Sequence, residues 1–254
     1  MLVLVVLVVV TGTPSLAQNA LTLFRTVKVS ENAVNKSARV ERPQVSPGGL
    51  YNHRCSSLCD RMEWCQLWCR GTSTDHCILS DMFVMPTYKE PNMDDALTCY
   101  TTRPRDLATN AAITSTPQNT EKKTNKNLVD GIFVHTNIND CYLAKEDSLK
   151  LWFLLDFGTP VTFRQITMWT QPEGNMDVVK RLRDLEVRAG NTVVATPDGF
   201  QAYRLLGRFL GPATYYGQEI VVEAKTPVKA RFLSVQRVAK AETKAFQICH
   251  IEVY

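Results

Sequence analysis

Apolar and polar positions alternate along the last nine residues, Phe246 to Tyr254. Cys249, Ile251 and Val253 stand against His250, Glu252 and Tyr254, the period of two expected of a strand with one buried face. The same alternation runs through Leu185, Val187 and Ala189 against Glu186 and Arg188, and stops at Gly190-Asn191. Leu149 to Phe157 is almost wholly apolar, which predicts a strand covered on both faces. Val161 to Thr170, Ile220 to Ala224 and Phe232 to Val238 are further strand candidates. In the first half the period changes: Cys55, Leu58, Cys59 and Met62 fall at helical spacing and predict a short amphipathic helix, while Thr26 to Val29 predicts one short strand. Asp106 to Asn127 is rich in Thr, Asn and Ala, and Asn127 to Gly131 reads as a turn. Several short strands without a long helix make the C-terminal half a β-sandwich.

Composition changes this picture little. The chain has 254 residues, 44% apolar and 21% charged, as a folded protein has. Its net charge of +4 is spread among scattered lysines and arginines, with no basic run interleaved with aromatics, so nucleic acid is not the expected partner. Leu2 to Val10 is an unbroken aliphatic run followed by small residues at Ser15 and Ala17, the pattern of a secretory signal cleaved near Gln18, although no basic residue precedes it. No later apolar stretch has the length of a bilayer span, so a soluble, secreted, extracellular product is expected. The expected divisions are a signal at 1–17, a polar leader at 18–48, a disulfide-rich module at 49–103 and the sandwich at 104–254. Asn35-Lys36-Ser37 is a glycosylation sequon in the leader.

Eight cysteines in a secreted chain read as four disulfides. Six lie between Cys55 and Cys99, and their C-x3-C-x5-C-x3-C opening lacks the paired C-x2-C of zinc ribbons. These six leave fifteen connectivities open. About fifty residues bury too little apolar surface for a core, so bridges would substitute for one. The remaining two, Cys141 and Cys249, are the only cysteines of the C-terminal half and are expected to pair. That bridge closes a loop of about one hundred residues, worth roughly 4–5 kcal/mol on chain-entropy grounds.

Two resemblances bear on function. Cys55-Ser-Ser-Leu-Cys59, Glu63-Trp64-Cys65 and Cys77-Ile78-Leu79-Ser80 resemble the PAN/apple family of secreted modules, whose members bind proteins or carbohydrates. In the second half, Asp106-Leu107-Ala108 resembles an "NLA" opening, Asn127-Leu-Val-Asp130-Gly131 an "NAxDG" turn, and Trp152-Phe-Leu-Leu-Asp156-Phe157-Gly158 a "WWxVDLG" strand. Arg181-Leu182 with Leu185 to Gly190 resembles "RLSxxEVRVG", and Cys249 to Val253 resembles "CEVEV". Together these resemble the F-type lectin (fucolectin) and coagulation-factor type C (discoidin) domains. The fold class so implied is mainly β: a C-terminal jelly-roll β-sandwich of the galactose-binding-like kind, preceded by a small disulfide-rich α+β module.

The resemblance implies a structural calcium between the turn, the residue before the loop cysteine and the last strand. It would be bound by the carbonyls of Asn127, Ile132 and Cys249 and the carboxylates of Asp130 and Asp140, oxygen donors that suit a hard cation. Ile132 replaces the family's Asn and His250 its Glu. For carbohydrate, Arg181 matches one of the family's two sugar-binding arginines. Leu143 stands where a histidine is expected, and the other arginine falls in Trp169-Thr170-Gln171, so fucose binding in the family's own mode is not expected. His135 and Trp169 are the other candidate sugar contacts, and Tyr215 and Tyr216 are loop aromatics suited to a sugar face or a membrane interface. No G-x-S-x-G, H-E-x-x-H or P-loop is present, so a binding protein rather than an enzyme is expected. The expected partners are extracellular glycans or glycoproteins, with homo-oligomer formation for avidity. The alternative is an adhesion or matrix protein that contacts proteins or membrane surfaces without a sugar pocket.

Overall fold

The computed structural model describes residues 24–46, 50–71, 75–134, 136, 138–145, 151–194, 197–238 and 247–254. The expected signal segment at 1–17 lies outside the described residues, and so does His135. Among the described residues no helix is long and apolar enough to cross a membrane.

The chain begins with β1 (Arg25–Ser30), where Val27 and Val29 point inward and Thr26 and Lys28 outward. Ser30 caps α1 (Glu31–Val34) by accepting from the Ala33 N–H, and β2 (Val40–Glu41) follows. These elements belong to the stretch read as a leader, yet they enter a sheet. It is completed by β3 (Leu67–Arg70), β4 (Cys77–Ser80) and β6 (Ala96–Thr101), in the order β1-β6-β3-β4-β2, with β5 (Phe83–Val84) standing apart. The predicted helix is α2 (Tyr51–Asp60), which buries Tyr51, Cys55 and Cys59. Disulfides Cys55–Cys77, Cys59–Cys65 and Cys69–Cys99 resolve the open connectivity. Trp68 is buried there and stacks on Tyr100, while Trp64 lies under the Arg39 guanidinium.

The second half begins at β7 (Ala112–Ser115) and continues through the two-residue strands β8 (Ile132–Phe133) and β9 (Tyr142–Leu143). Two long strands then organise it, β10 (Trp152–Trp169) and β13 (Glu219–Arg237), paired antiparallel along their length with register shifts where β10 bends. Their first pairing, Trp152–Asp156 with Phe232–Gln236, takes β7 on one side and β11 (Leu185–Gly190) with β12 (Arg204–Phe209) on the other. Their second pairing, Gln165–Trp169 with Glu219–Glu223, takes β15 (His250–Val253), while β14 (Gln247–Ile248) pairs with β9. One ribbon therefore serves both layers of the sandwich. Phe153, Leu155, Leu233 and Val235 of the first layer share a core with Ile166, Met168, Ile220 and Val222 of the second.

Three sequence expectations change. Val161 to Thr170 continues the strand begun at Trp152, and Ile220 and Val238 bracket one strand rather than two. β10 is not covered evenly on both faces: Trp152, Leu154 and Asp156 point away from the shared core, and Trp152 and Asp156 keep partial solvent contact. Glu186, the polar side of the alternating β11, is buried because Arg188 and Arg208 close over it with ion pairs of 2.8 and 2.7 Å.

Candidate functional site

Cys141 and Cys249 form a disulfide, which holds the loop before β9 to the start of β15. Around it gathers an aromatic cluster. Phe133 and Trp169 pack on the bridge, and the pairing of β5 with β8 sets Phe83 of the N-terminal module against both rings. Trp169 is 3% exposed. It therefore presents no face to a sugar, which corrects its assignment as a sugar contact: the last side chain of β10 turns into the junction between the two halves. The Arg103 guanidinium lies 5.7 Å from its ring centroid and donates to Glu252, which has no accessible surface. Burial raises the Glu252 carboxyl, but His250, Arg103 and Tyr254 together outweigh burial and hold it below the usual range. His250 is also fully buried and stacked on Phe133; its Nε2 lies 3.6 Å from Glu252, beyond hydrogen-bond distance.

The residues implied for calcium lie along one edge of this cluster. Asn127 belongs to a 3-10 turn, and its amide donates to the carbonyls of Lys122 and Asn139, which leaves it only the backbone role expected of it. Asp130 accepts from the Ile132 N–H at 3.1 Å. Burial pushes its carboxyl up to about 7, against the Ile132 N–H and His250, while the neighbouring Asp140 charge adds to the rise. A buried carboxyl raised further by a neighbouring carboxylate is an environment a divalent cation would relieve. Among the described residues no three His, Cys, Asp or Glu side chains gather as a metal group, so backbone carbonyls would have to supply the remaining ligands.

Arg181 ends α3 (Met176–Lys180), whose N-terminus is capped by the Asn175 side chain. Its carbonyl accepts from the Arg237 guanidinium, which fixes the backbone there. Loop 210–218 packs beside it: the Ala213 N–H donates to the Leu182 carbonyl and the Asp184 N–H to that of Leu210. The same loop is tied to loop 170–175. Thr170 Oγ1 donates to the Tyr215 carbonyl, the Gly217 N–H to the Gln171 carbonyl, and the Tyr216 hydroxyl to the Gly174 carbonyl at 2.6 Å. Tyr215 and Tyr216 remain 57% and 41% exposed, and Leu210 71%. Loop aromatics held in this way form a rigid platform, since the hydrogen bonds have already ordered the backbone a ligand would otherwise have to order. Arg181 and the two tyrosines thus belong to one loop cluster; Trp169, at the base of the same loops, faces away from it.

A further concavity, of about 460 Å3, lies on the outer face of the first layer between β7 and the 3-10 turn Pro197–Ala202. Its floor follows from the strand register. Ala112, Asp156 and Phe232 make one row, Thr114 and Leu154 the next, and Trp152 closes one end. Sequence analysis missed it because Leu149 to Phe157 read as uniformly buried. The alternation of Trp152, Leu154 and Asp156 was the available signal.

No family model matches the sequence, and no curated protein matches it. Similar solved structures are an F-lectin (fucolectin) from Morone saxatilis (striped bass) serum (TM-score 0.47, 18% identity), which covers 58% of this chain and 47% of its own. A chitosan-binding module from a Paenibacillus sp. IK-5 chitosanase/glucanase is similar at TM-score 0.44 and 14% identity, over 59% of this chain and 99% of its own. A Streptococcus pneumoniae fucose binding module is similar at TM-score 0.44 and 10% identity, over 59% and 98%. The matched region thus spans about half of the striped bass lectin. All three TM-scores lie below 0.5, and both the fold and the chemistry of the sites rest on this chain's own residues.

Proposed function

We propose that this is a secreted recognition protein whose C-terminal sandwich binds extracellular carbohydrate at the loop cluster of Arg181, Tyr215 and Tyr216. The observation that carries the reading is the pair of exposed tyrosine rings on a loop tied by hydrogen bonds to its neighbours. A pyranose has an apolar face that suits an aromatic ring on an ordered loop and hydroxyls that need a donor, the role proposed for the Arg181 side chain. Four disulfides accord with an oxidising compartment. The proposal is of binding, with no reaction assigned.

Calcium at Asp130 and Asp140 would act structurally, by drawing the turn and the loop before Cys141 together. Its test is thermal: calcium chloride should raise the melting temperature, EDTA should reverse this, and Asp130→Asn should abolish the response. The N-terminal module, with its likeness to PAN/apple domains, would add a protein contact, and Asn35, exposed at the end of α1, would carry a glycan. The function itself is tested by a glycan array with and without EDTA, comparing the wild type with Tyr216→Ala. Sugar-specific signal reduced in the variant supports the reading, and silence across all sugars rejects it.

One observation favours a second reading. Leu210 is 71% exposed beside the tyrosines, and Lys180, Arg181 and Arg183 lie on the adjoining segment. Apolar tips flanked by cations suit an anionic membrane surface. Co-sedimentation with phosphatidylserine vesicles that is lost in Leu210→Ser would select it.

A further inference from the structure

We propose that the groove on the outer face of the first sandwich layer is a second binding site, and that it takes a neutral pyranose unit. The proposal shares the ligand class of the reading above but not its surface, so each stands or falls separately.

The groove arises from residue size at matched register. On β7 the outward positions are Ala112 and Thr114. These small side chains lie between Trp152 at one end and the Phe200–Phe232 wall on the side, where Phe200 meets Trp152 edge-on at 5.5 Å between centroids. The wall is rigid: Phe200, Tyr203 and Phe232 stack in series, and the Tyr203 hydroxyl is anchored on the Thr192 carbonyl at 2.6 Å. A volume of about 460 Å3 lies within the range of small-molecule pockets, roughly 300–1,000 Å3.

The polar end selects the ligand. Asp156 accepts from Arg231 Nε and Nη2 at 2.7 Å each and from the Gly158 N–H at 2.8 Å. A carboxylate has about four acceptor positions, so one on Oδ2 remains. Arg231 Nη1 makes no bond among the described residues and offers two N–H groups. The pair is therefore locked in place and carries no net charge, with the Asp156 acceptor lining the aromatic groove and the Arg231 donors beside it. A hydrocarbon chain would strip water from this pair and return nothing for it. An anionic ligand would meet Asp156, and a cationic one Arg231. A neutral ring with one apolar face and a fringe of hydroxyls satisfies both ends, its face on the aromatic side and its hydroxyls on the pair.

The test uses the full-length chain and ligand-observed saturation-transfer NMR. The probes are methyl glucosides, galactosides and fucosides, with sialic acid as the anionic probe and decanoate as the apolar one. Ala112→Phe fills the groove from an exposed position on the edge strand, so its fold is expected to persist, as circular dichroism would verify. Neutral methyl pyranosides should bind both the wild type and Tyr216→Ala in the roughly millimolar range of single sugars, and adding Ala112→Phe to Tyr216→Ala should weaken them about tenfold or more. Thr114→Phe replaces Ala112→Phe if the latter misfolds. As an independent readout, the 5-fluorotryptophan resonance that disappears in Trp152→Phe should shift on titration of the wild type. Unchanged binding when the groove is filled on the Tyr216→Ala background, binding of decanoate or sialic acid alone, or binding lost in Tyr216→Ala itself would each overturn the proposal. The last outcome would leave the loop-cluster reading standing by itself.

Discussion

Arg103 sits with its guanidinium 4.7 Å from the centroid of Phe83 and donates to Glu252, a carboxylate without accessible surface. Removing one member of a buried ion pair leaves the other uncompensated, at a cost of about 3–5 kcal/mol. Arg103→Met should therefore destabilise the protein by that order in urea unfolding at neutral pH. Glu252→Gln should cost less, because it removes the charge that most needs a partner. The pH dependence has a definite sign. The folded carboxyl of Glu252 lies below its ordinary value, so its contribution is fully present above about pH 4.5 and is lost as pH falls through the lower folded value. In Glu252→Gln the slope of stability against pH below 4.5 should be shallower than in the wild type. An equal slope would show that other groups govern acid unfolding. Sequence showed Glu252 as the outward member of an alternating strand, and it could not show Arg103. Nothing local joins positions separated by 149 residues, and the burial of both follows from a contact made only after folding.

Elements were legible where apolar and polar residues alternate. β1 and β11 lie within a residue of where the sequence placed them, while the terminal run divides at Cys249 into β14 and β15, and folding buries the polar side of β15 and Glu186 of β11 as well. The two-residue strands β8 and β9 gave no pattern, since two residues cannot display a period. β12 was missed for another reason. Arg204, Leu205, Gly207 and Arg208 neither alternate nor cluster, because β12 is an edge strand with a largely solvated outer surface. Its position is set by Gly207, where a Cβ would come within 2.7 Å of Val222 on the other layer. Gly190, at the end of β11, is held more tightly, for a Cβ there would meet the Tyr203 ring at 2.1 Å. Gly190→Ala should push Tyr203 from its stack on Phe232 and destabilise the protein by about 1–3 kcal/mol. Tyr203→Ala should remove most of that penalty in a double-mutant cycle. Additive effects would mean that the clash is relieved elsewhere. The same swap should disturb the aromatic wall of the groove and leave loop 210–218 as it is.

At the scale of the molecule, the two halves share buried clusters. β5 pairs with β8, Val134 packs in the core of the N-terminal module, Phe83 fills the cluster on the Cys141–Cys249 bridge, and Arg103 neutralises Glu252. The expected boundary at 103/104 falls within this junction. It reads as a boundary because composition changes there, but composition reports local chain character and not which surfaces meet. A fragment of residues 104–254 would lose both Phe83 and Arg103, exposing Phe133 and Trp169 and leaving Glu252 buried without its guanidinium. The intact chain should therefore melt in a single transition, with calorimetric and van't Hoff enthalpies in agreement. The fragment should bind hydrophobic dye and lose cooperativity even with its disulfide formed. Two separate calorimetric transitions in the intact chain, or a fragment that melts as sharply as the whole, would show the junction to be a contact between independent domains. The outcome also bears on recognition, because loop cluster and groove both ride on the β10–β13 ribbon, whose far end at Trp169 is packed in the junction. A ligand that holds either site should then raise the melting temperature of the whole chain, the N-terminal module included.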